Sequence, residues 1–397
     1  MAYEVITGNQ AAGYALSVAG EANRTARGVA CGIYPITPQT EIVEYVAKYP
    51  FTKGRVVPVE SEHSAMAVSI GASASGARAF TASSANGLAY MAENIMVAGY
   101  YRLPIVMVAV NRTLGPPWNI WADQGDTLML RDFAWLQFYC ETNQEVLDTT
   151  LLAFRLAEDK RILLPVMVCM DAFIVSHTQT GTALPEQEDV DRYLPDLELP
   201  HRLHRGEART LGGLAWPHEG LSMRLEIDEA MKRAPAVFQE CRGNFVDVFG
   251  RDPGDCIQTY ETDDARTIII ASGTMATTAR EVVRRRREAG EQVGLVKIKM
   301  FRPFPAEALL EACRPASRVA VLDRNYAAGS GGVFWQDTRA AFQGYRDELL
   351  IQNYLTGLCG GDVTPDVIDE ILVDLESRTE AGEPVWMGIE KEEEREA

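Results

Sequence analysis

The chain has 397 residues, 47% of them hydrophobic and 24% charged, and a formal net charge of −18 at pH 7. This length usually exceeds one compact core, so we expect a soluble globular protein with two domains. The negative charge argues against nucleic acid as a partner, because a phosphate backbone recruits basic patches. The apolar runs are too short to span a bilayer and the first ten residues do not resemble a signal peptide, so we expect a cytoplasmic protein.

Short apolar runs alternate with helical patterns through the first part of the chain. The predicted strands are VACGIYP, VVPVE, ARAFTASS, PIVMVAV, QFYCET and LPVMVCMD, and the segments between them, such as TEIVEYVAKY, have the length of helices. This alternation predicts an α/β fold with a parallel sheet covered on both faces. Cys31, Cys140 and Cys169 lie in these runs and are predicted to be small core residues.

The pattern changes after Asp171. Residues 178–218 are rich in Pro, Asp, Glu and His and predict an extended connector, and a helical stretch follows at 223–250. A second alternating series then begins. The sequence therefore predicts one α/β domain over 1–250, connector included, and a smaller α/β domain over 251–397 that ends in the solvated acidic tail EKEEEREA.

Two glycine-rich segments superficially resemble phosphate loops. GASASG, at 71–76, ends a helical segment, so close packing of that helix on the sheet is favoured. GSGGVFW, at 329–335, stands between a strand and a helix and could bind a phosphate through backbone amides. A tight turn is the favoured interpretation there, and a nucleotide-binding electron carrier is the alternative.

Glu60 and Glu62 stand where a strand ends and an apolar helix begins, a position that lines the ligand crevice of open α/β sheets. Helix capping at Ser61 explains the same pattern and is favoured when this motif is taken alone. Arg112 follows another strand and precedes a loop rich in Gly, Pro and Trp. Its guanidinium could hold a carboxylate, and a surface ion pair with Asp123 or Asp126 explains it equally well.

Polar residues follow four of the predicted strands. They are Thr37, Glu62, Asn86 and Arg112. Because the carboxyl ends of parallel strands meet at one edge of a sheet, we expect these residues to lie close together. Pro38 keeps Thr37 out of helical geometry, so Thr37 is held at that edge.

Taken together, several segments resemble the α subunit of 2-oxoacid:acceptor oxidoreductases of the pyruvate:ferredoxin type. These segments are YPITPQTE, ESEHSAM, TASSANGLAYM, NRTLGPPWNIWADQGD, LLPVMVCMDAFIVSHT and MFRPFP. The resemblance implies a thiamine diphosphate enzyme that converts a 2-oxoacid to an acyl-CoA and CO2 and passes electrons to iron–sulfur clusters. It also implies a pyrimidine-binding thiamine diphosphate domain followed by a smaller domain like the transketolase C-terminal domain.

The same resemblance implies roles for individual residues. Glu62 matches the glutamate that protonates the aminopyrimidine, and Thr37 and Arg112 match the residues that contact the 2-oxoacid. We expect further contacts to the cofactor from Pro35, Ile36, Ser84 and Asn86, and to the substrate from Trp118.

The cofactor site is predicted to be shared with another chain. The GDG motif of diphosphate-binding thiamine domains is absent, and GGD at 360–362 has the wrong order. No two cysteines have ferredoxin or zinc-ribbon spacing. We therefore expect a β subunit with Mg2+ and the diphosphate, γ and ferredoxin-like subunits with iron–sulfur (4Fe-4S) clusters, CoA as cosubstrate, and a multimer of this hetero-oligomer. No metal ligand is assigned to this chain.

The choice of 2-oxoacid stays open in the sequence. Trp118 stands where the pyruvate pattern has a smaller aliphatic residue. If Trp118 faces the site, the alternative is the α subunit of an aryl-glyoxylate (phenylglyoxylate) dehydrogenase that passes electrons to NAD through a partner. A non-catalytic scaffold with the thiamine fold is an alternative of another class. The presence together of Thr37, Glu62 and Arg112 speaks against that scaffold.

Overall fold

The computed structural model describes residues 2–206, 208–346 and 348–389; the predicted tail at 390–397 lies outside them. The strands are β1 Ala2–Ile6, β2 Val29–Ile33, β3 Gly54–Pro58, β4 Arg78–Ser83, β5 Ile105–Asn111, β6 Leu136–Cys140, β7 Val166–Asp171, β8 Thr180–Leu184, β9 Ile257–Tyr260, β10 Thr267–Ala271, β11 Val293–Ile298, β12 Met300–Arg302, β13 Arg318–Asp323, β14 Leu350–Leu355 and β15 Val385–Trp386. The helices are α1 Gly8–Glu21, α2 Thr40–Lys48, α3 Glu62–Ala74, α4 Ala85–Tyr90, α5 Ala92–Tyr100, α6 Gly125–Leu128, α7 Asn143–Ala157, α8 Gln187–Tyr193, α9 Pro217–Phe249, α10 Thr274–Glu288, α11 Ala306–Ala312, α12 Val333–Phe342 and α13 Pro365–Ser377.

The first sheet has the strand order β12-β6-β7-β5-β4-β2-β3. The six strands from β2 to β7 pair in parallel, and only β12 is antiparallel to its neighbour. Strands β4 to β7 are buried along their whole length because helices cover both faces. The predicted α/β fold is therefore confirmed, and Cys31, Cys140 and Cys169 are buried as expected.

The second sheet has the order β15-β14-β13-β10-β11-β9, in which only β9 runs antiparallel. Strand β12 follows β11 in the chain but lies on the edge of the first sheet, beside β6. Residues 178–218, predicted as an extended connector, contain β8 and α8, and β8 forms a ribbon with β1. No described helix is long and apolar enough to cross a membrane.

Small residues of GASASG pack α3 closely on the sheet as predicted, since Ser73 and Ala74 are buried, but its two glycines do not take part. A Cβ atom on Gly71 would meet no atom within 4 Å, so this residue faces open space. Gly76 has φ +88° in the turn after α3, a conformation that L side chains rarely adopt. Glycine at Gly76 therefore ends the helix.

Buried polar contacts join the two sheets. Lys297 Nζ, on β11, donates to both carboxylate oxygens of Glu145 at 2.7 Å and to Glu141 at 3.1 Å, at the end of β6 and the start of α7. At the end of β7, Asp171 accepts a hydrogen bond of 2.8 Å from the main-chain N–H of Thr274, the first residue of α10. The carboxyl end of β7 therefore faces the start of the helix that follows β10.

Candidate active site

The turns that follow β2, β3, β4 and β5 lie at one edge of the first sheet, because these strands are parallel neighbours. The structure therefore places Thr37, Glu62, Asn86 and Arg112 at the same edge. Direct contacts link three of the turns, and the fourth lies against α4.

Glu62 is the first residue of α3 and only 8% of its surface is exposed. The cap of this helix is Ser61, whose hydroxyl accepts from the N–H of Ser64 at 3.2 Å. Among the described residues none donates a hydrogen bond to the Glu62 carboxylate. It lies against α4, where a Cβ atom on Gly87 would be 2.7 Å from Glu62 Oε1. Neither of its carboxylate oxygens is fully enclosed, so they can accept from a donor supplied from outside the chain.

The Arg112 side chain is anchored by main-chain carbonyl groups. Nη1 donates to the oxygen of Thr37 at 2.6 Å and Nε to that of Asn119 at 3.2 Å. Arg112 is 9% exposed, and burial lowers the pKa of its guanidinium. We find no partner for Nη2 and no ion pair for this guanidinium within the described part of the chain. The surface ion pair that the sequence left open is thus not formed, and a guanidinium edge is available to a carboxylate.

Asp126 is the buried residue that connects the turns, and the sequence indicated it only as an ion-pair partner. Its Oδ2 accepts from the main-chain N–H groups of Ala85 at 2.9 Å and Arg112 at 3.0 Å. Its Oδ1 accepts from the Asn111 side chain at 2.8 Å and the Thr127 N–H at 2.9 Å. Burial raises the pKa of Asp126 to about 7. No local pattern could identify this role, because the donors come from three separate segments.

The predicted cofactor contacts Ser84 and Asn86 have partners within the chain. The Ser84 hydroxyl donates to the carbonyl oxygen of Val110 at 2.6 Å. Asn86 exchanges two hydrogen bonds with the main chain of Gly115, at 2.9 and 3.0 Å. These contacts fasten the loop after β5 to α4, so both side chains shape the edge where the cofactor is expected.

The remaining predicted contacts lie in exposed turns. Pro35 is exposed and Ile36 half-buried, in a turn that Gln39 holds by donating to the oxygen of Tyr34 at 2.8 Å. Trp118 is 71% exposed, and its ring lies against Gly115 rather than on the sheet. Its predicted contact with the substrate stays a prediction.

The glycine-rich segment before α12 is already saturated with internal hydrogen bonds. The main-chain N–H groups at 332–335 donate in order to Asn353, Asn325 and, twice, Asp323, at 2.8, 3.0, 2.9 and 3.1 Å. A phosphate at this helix start would have to displace these acceptors. The geometry supports the tight turn that the sequence favoured.

Two family models match the chain. One, described as pyruvate flavodoxin/ferredoxin oxidoreductase, thiamine diphosphate-binding, covers residues 21–243. The other, described as pyruvate:ferredoxin oxidoreductase core domain II, covers residues 265–368. The first match contains Thr37, Glu62 and Arg112.

Two named relatives match over nearly their full lengths. The pyruvate synthase subunit PorA of Methanothermobacter thermautotrophicus is 40% identical over 99% of this chain and 100% of its own length. The ketoisovalerate oxidoreductase subunit VorA of Pyrococcus abyssi is 41% identical over 96% of this chain and 95% of its own length.

Solved structures share the fold at lower identity. A 2-oxoglutarate:ferredoxin oxidoreductase from Magnetococcus marinus, solved with 2-oxoglutarate, coenzyme A and succinyl-CoA, matches with a TM-score of 0.71 and 21% identity. That match covers 94% of this chain, which spans 65% of the Magnetococcus chain. A split-gene transketolase matches with a TM-score of 0.55 and 13% identity, over 95% of this chain and 99% of its own. The resemblance in the sequence is thus confirmed, and the chain belongs to the pyruvate:ferredoxin oxidoreductase family, whose named relatives are subunits of enzymes that act on 2-oxoacids.

Proposed function

We propose that this chain is the α subunit of a thiamine diphosphate-dependent complex that oxidatively decarboxylates a 2-oxoacid to an acyl-CoA and CO2. One observation carries the proposal: Glu62 is a largely buried residue whose open carboxylate finds no donor in the described chain, at the same sheet edge as Arg112. A ring nitrogen of the cofactor would be that donor.

The residues at this edge have different roles in the proposed reaction. Thiamine diphosphate, when bound, supplies a nucleophilic carbon for the 2-oxo carbonyl group. Glu62 shares a proton with the pyrimidine nitrogen, and its burial strengthens that hydrogen bond. Arg112 uses its open edge to orient the substrate carboxylate, which leaves as CO2. The Thr37 main chain lies beside it, because the Thr37 carbonyl oxygen accepts from Arg112, and we assign its hydroxyl to the substrate.

The proposed partner subunits carry the motifs that this sequence does not contain. Without a GDG motif or a cluster-type cysteine pattern, the diphosphate with Mg2+ and the 4Fe-4S clusters belong to β, γ and ferredoxin-like subunits in a cytoplasmic complex. CoA is the acyl acceptor, and ferredoxin takes the electrons. The division of the chain into 1–250 and 251–397 belongs to this proposal and is supported by separate family matches on either side.

An aliphatic 2-oxoacid is the proposed substrate, because the named relatives are pyruvate and ketoisovalerate enzymes. The aryl-glyoxylate alternative rests on Trp118. Turnover of the assembled complex is measured with pyruvate, ketoisovalerate, 2-oxoglutarate and phenylglyoxylate, each with and without CoA. A preference for phenylglyoxylate that is lost in Trp118→Ala would favour the alternative.

The test is Glu62→Gln in the assembled complex. We expect turnover to fall by about 10²- to 10⁴-fold, the usual contribution of a positioned acid–base group, with assembly unchanged. Glu60→Gln is the matched control, because Glu60 is exposed and its carboxylate accepts from the neighbouring Ser64 hydroxyl. Equal turnover of the two variants would contradict the proposed role and favour the scaffold alternative.

A further inference from the structure

A turn of the second sheet packs directly on the loop that follows Arg112. We call residues 112–122 the arginine loop, and Leu358–Gly360, a single 3₁₀ turn after β14, the β14 turn. The main-chain N–H of Gly360 donates to the oxygen of Ala122 at 3.0 Å. The Asn119 side chain donates to the oxygen of Cys359 at 3.4 Å. The two segments therefore touch through main-chain atoms.

This contact requires glycine at one position of the turn. Gly360 has φ +85°, and a Cβ atom there would lie 2.1 Å from Trp121 Cβ. The next residue, Gly361, has φ −55°, and a Cβ atom there would come no closer than 3.4 Å to any atom. A methyl group would therefore clash with Trp121 at Gly360, whereas at Gly361 it would make only an ordinary contact.

The atoms that the β14 turn contacts belong to the residues that hold Arg112. The Asn119 oxygen accepts from Arg112 Nε at 3.2 Å, and Arg112 pairs with Ala122 in an isolated antiparallel bridge. The oxygen of Trp121 accepts from the N–H of Thr113 at 3.0 Å. A shift of the β14 turn would therefore move the main-chain carbonyl that anchors the guanidinium.

A further hydrogen bond holds the β14 turn in place. The N–H of Cys359 donates to Asp123 Oδ2 at 3.3 Å, and the same carboxylate accepts from Gly125 at 2.8 Å through Oδ1. Cys359 itself has φ +54°, so the turn adopts a backbone conformation that only surrounding contacts can maintain. The conformation of the β14 turn therefore depends on its contacts with the arginine loop and with Asp123.

We propose that the β14 turn is a positioning element for substrate binding: it holds the arginine loop so that Arg112 presents its open guanidinium edge to the 2-oxoacid carboxylate. The inference rests on the proposed function and gives the second sheet a part in substrate recognition. Gly360 and Cys359 are positioning residues that act through Asn119, Trp121 and Ala122.

The test compares Gly360→Ala with Gly361→Ala in the assembled complex. Gly360→Ala must displace the β14 turn, the arginine loop or both, so we expect KM for the 2-oxoacid to rise on the order of 10- to 100-fold, with a smaller change in kcat. Affinity for thiamine diphosphate should change less than KM, because Glu62 makes no described hydrogen bond to the loop and the cofactor edge is tied to it only through Asn86 and Gly115. Gly361→Ala should match the wild type in both constants.

Asn119→Ala is the second variant, for the case in which Gly360→Ala does not assemble. It removes the side-chain hydrogen bonds to the oxygen of Cys359 and to the N–H of Trp121, and keeps the carbonyl that binds Arg112, so a smaller rise in KM is expected. An unchanged KM in an assembled Gly360→Ala complex, or in Asn119→Ala, overturns the inference, as does an equal effect of Gly361→Ala. Failure of the proposed function would appear separately, as full turnover in Glu62→Gln.

Discussion

At the scale of single residues, the buried acids of this edge have contrasting surroundings. Glu62 finds no donor in the described chain, whereas Asp126 accepts four hydrogen bonds. The placement of Thr37, Glu62 and Arg112 at this edge could be predicted, because each stands where an apolar run ends. The role of Asp126 could not, because one of its donors, Ala85, lies 41 residues away in the chain.

We expect Asp126→Asn to destabilise the protein and raise KM for the 2-oxoacid. An amide presents one oxygen, and its NH2 group would face two N–H donors, leaving buried groups unpaired at about 1–3 kcal/mol each. Chemical denaturation and steady-state kinetics measure the two effects. Asp263→Asn, at an exposed position, is the control. Stability and KM equal to those of the control would show that Asp126 does not position Arg112.

At the scale of elements, the order of strands from β2 to β7 and, apart from β12, from β10 to β14 could be predicted from hydrophobic runs. The ribbon of β1 and β8 could not, because four of the five residues of β1 are exposed and its partner is far along the chain. Strand β12 was also beyond prediction, since MFR at Met300–Arg302 directly follows β11 yet pairs with the other sheet. Pairing between distant segments depends on tertiary packing, which a local pattern does not contain.

Helix α12 begins on the buried carboxyl of Asp323, and this predicts a pH-dependent stability. Burial raises the pKa of Asp323 from 3.8 to about 7, so between these values the folded chain keeps a proton that the unfolded chain loses. The contribution of Asp323 to the free energy of unfolding must therefore fall as pH rises through this window. Denaturation of wild type and Asp323→Asn across the window should give a difference that declines with pH. A constant difference would contradict this prediction.

At the scale of the whole molecule, the two sheets meet near the candidate active site. Lys297 and Glu145 form a buried ion pair between them, and Asp171 caps the start of α10. The proposed function gives this chain half of a cofactor site, with residues that suit the pyrimidine and the 2-oxoacid carboxylate but no diphosphate motif in the sequence. We propose that a second chain completes the site.

Titration calorimetry of thiamine diphosphate with Mg2+ shows whether the cofactor site needs a second chain. The isolated chain and the assembled complex are compared. We predict no saturable binding to the isolated chain, tight binding to the complex, and weaker binding to the complex that carries Glu62→Gln. Glu60→Gln should bind as the wild type does. Tight binding by the isolated chain would contradict a cofactor site shared between two chains. Identical affinities of the Glu62→Gln and wild-type complexes would contradict the role of Glu62 in binding the cofactor.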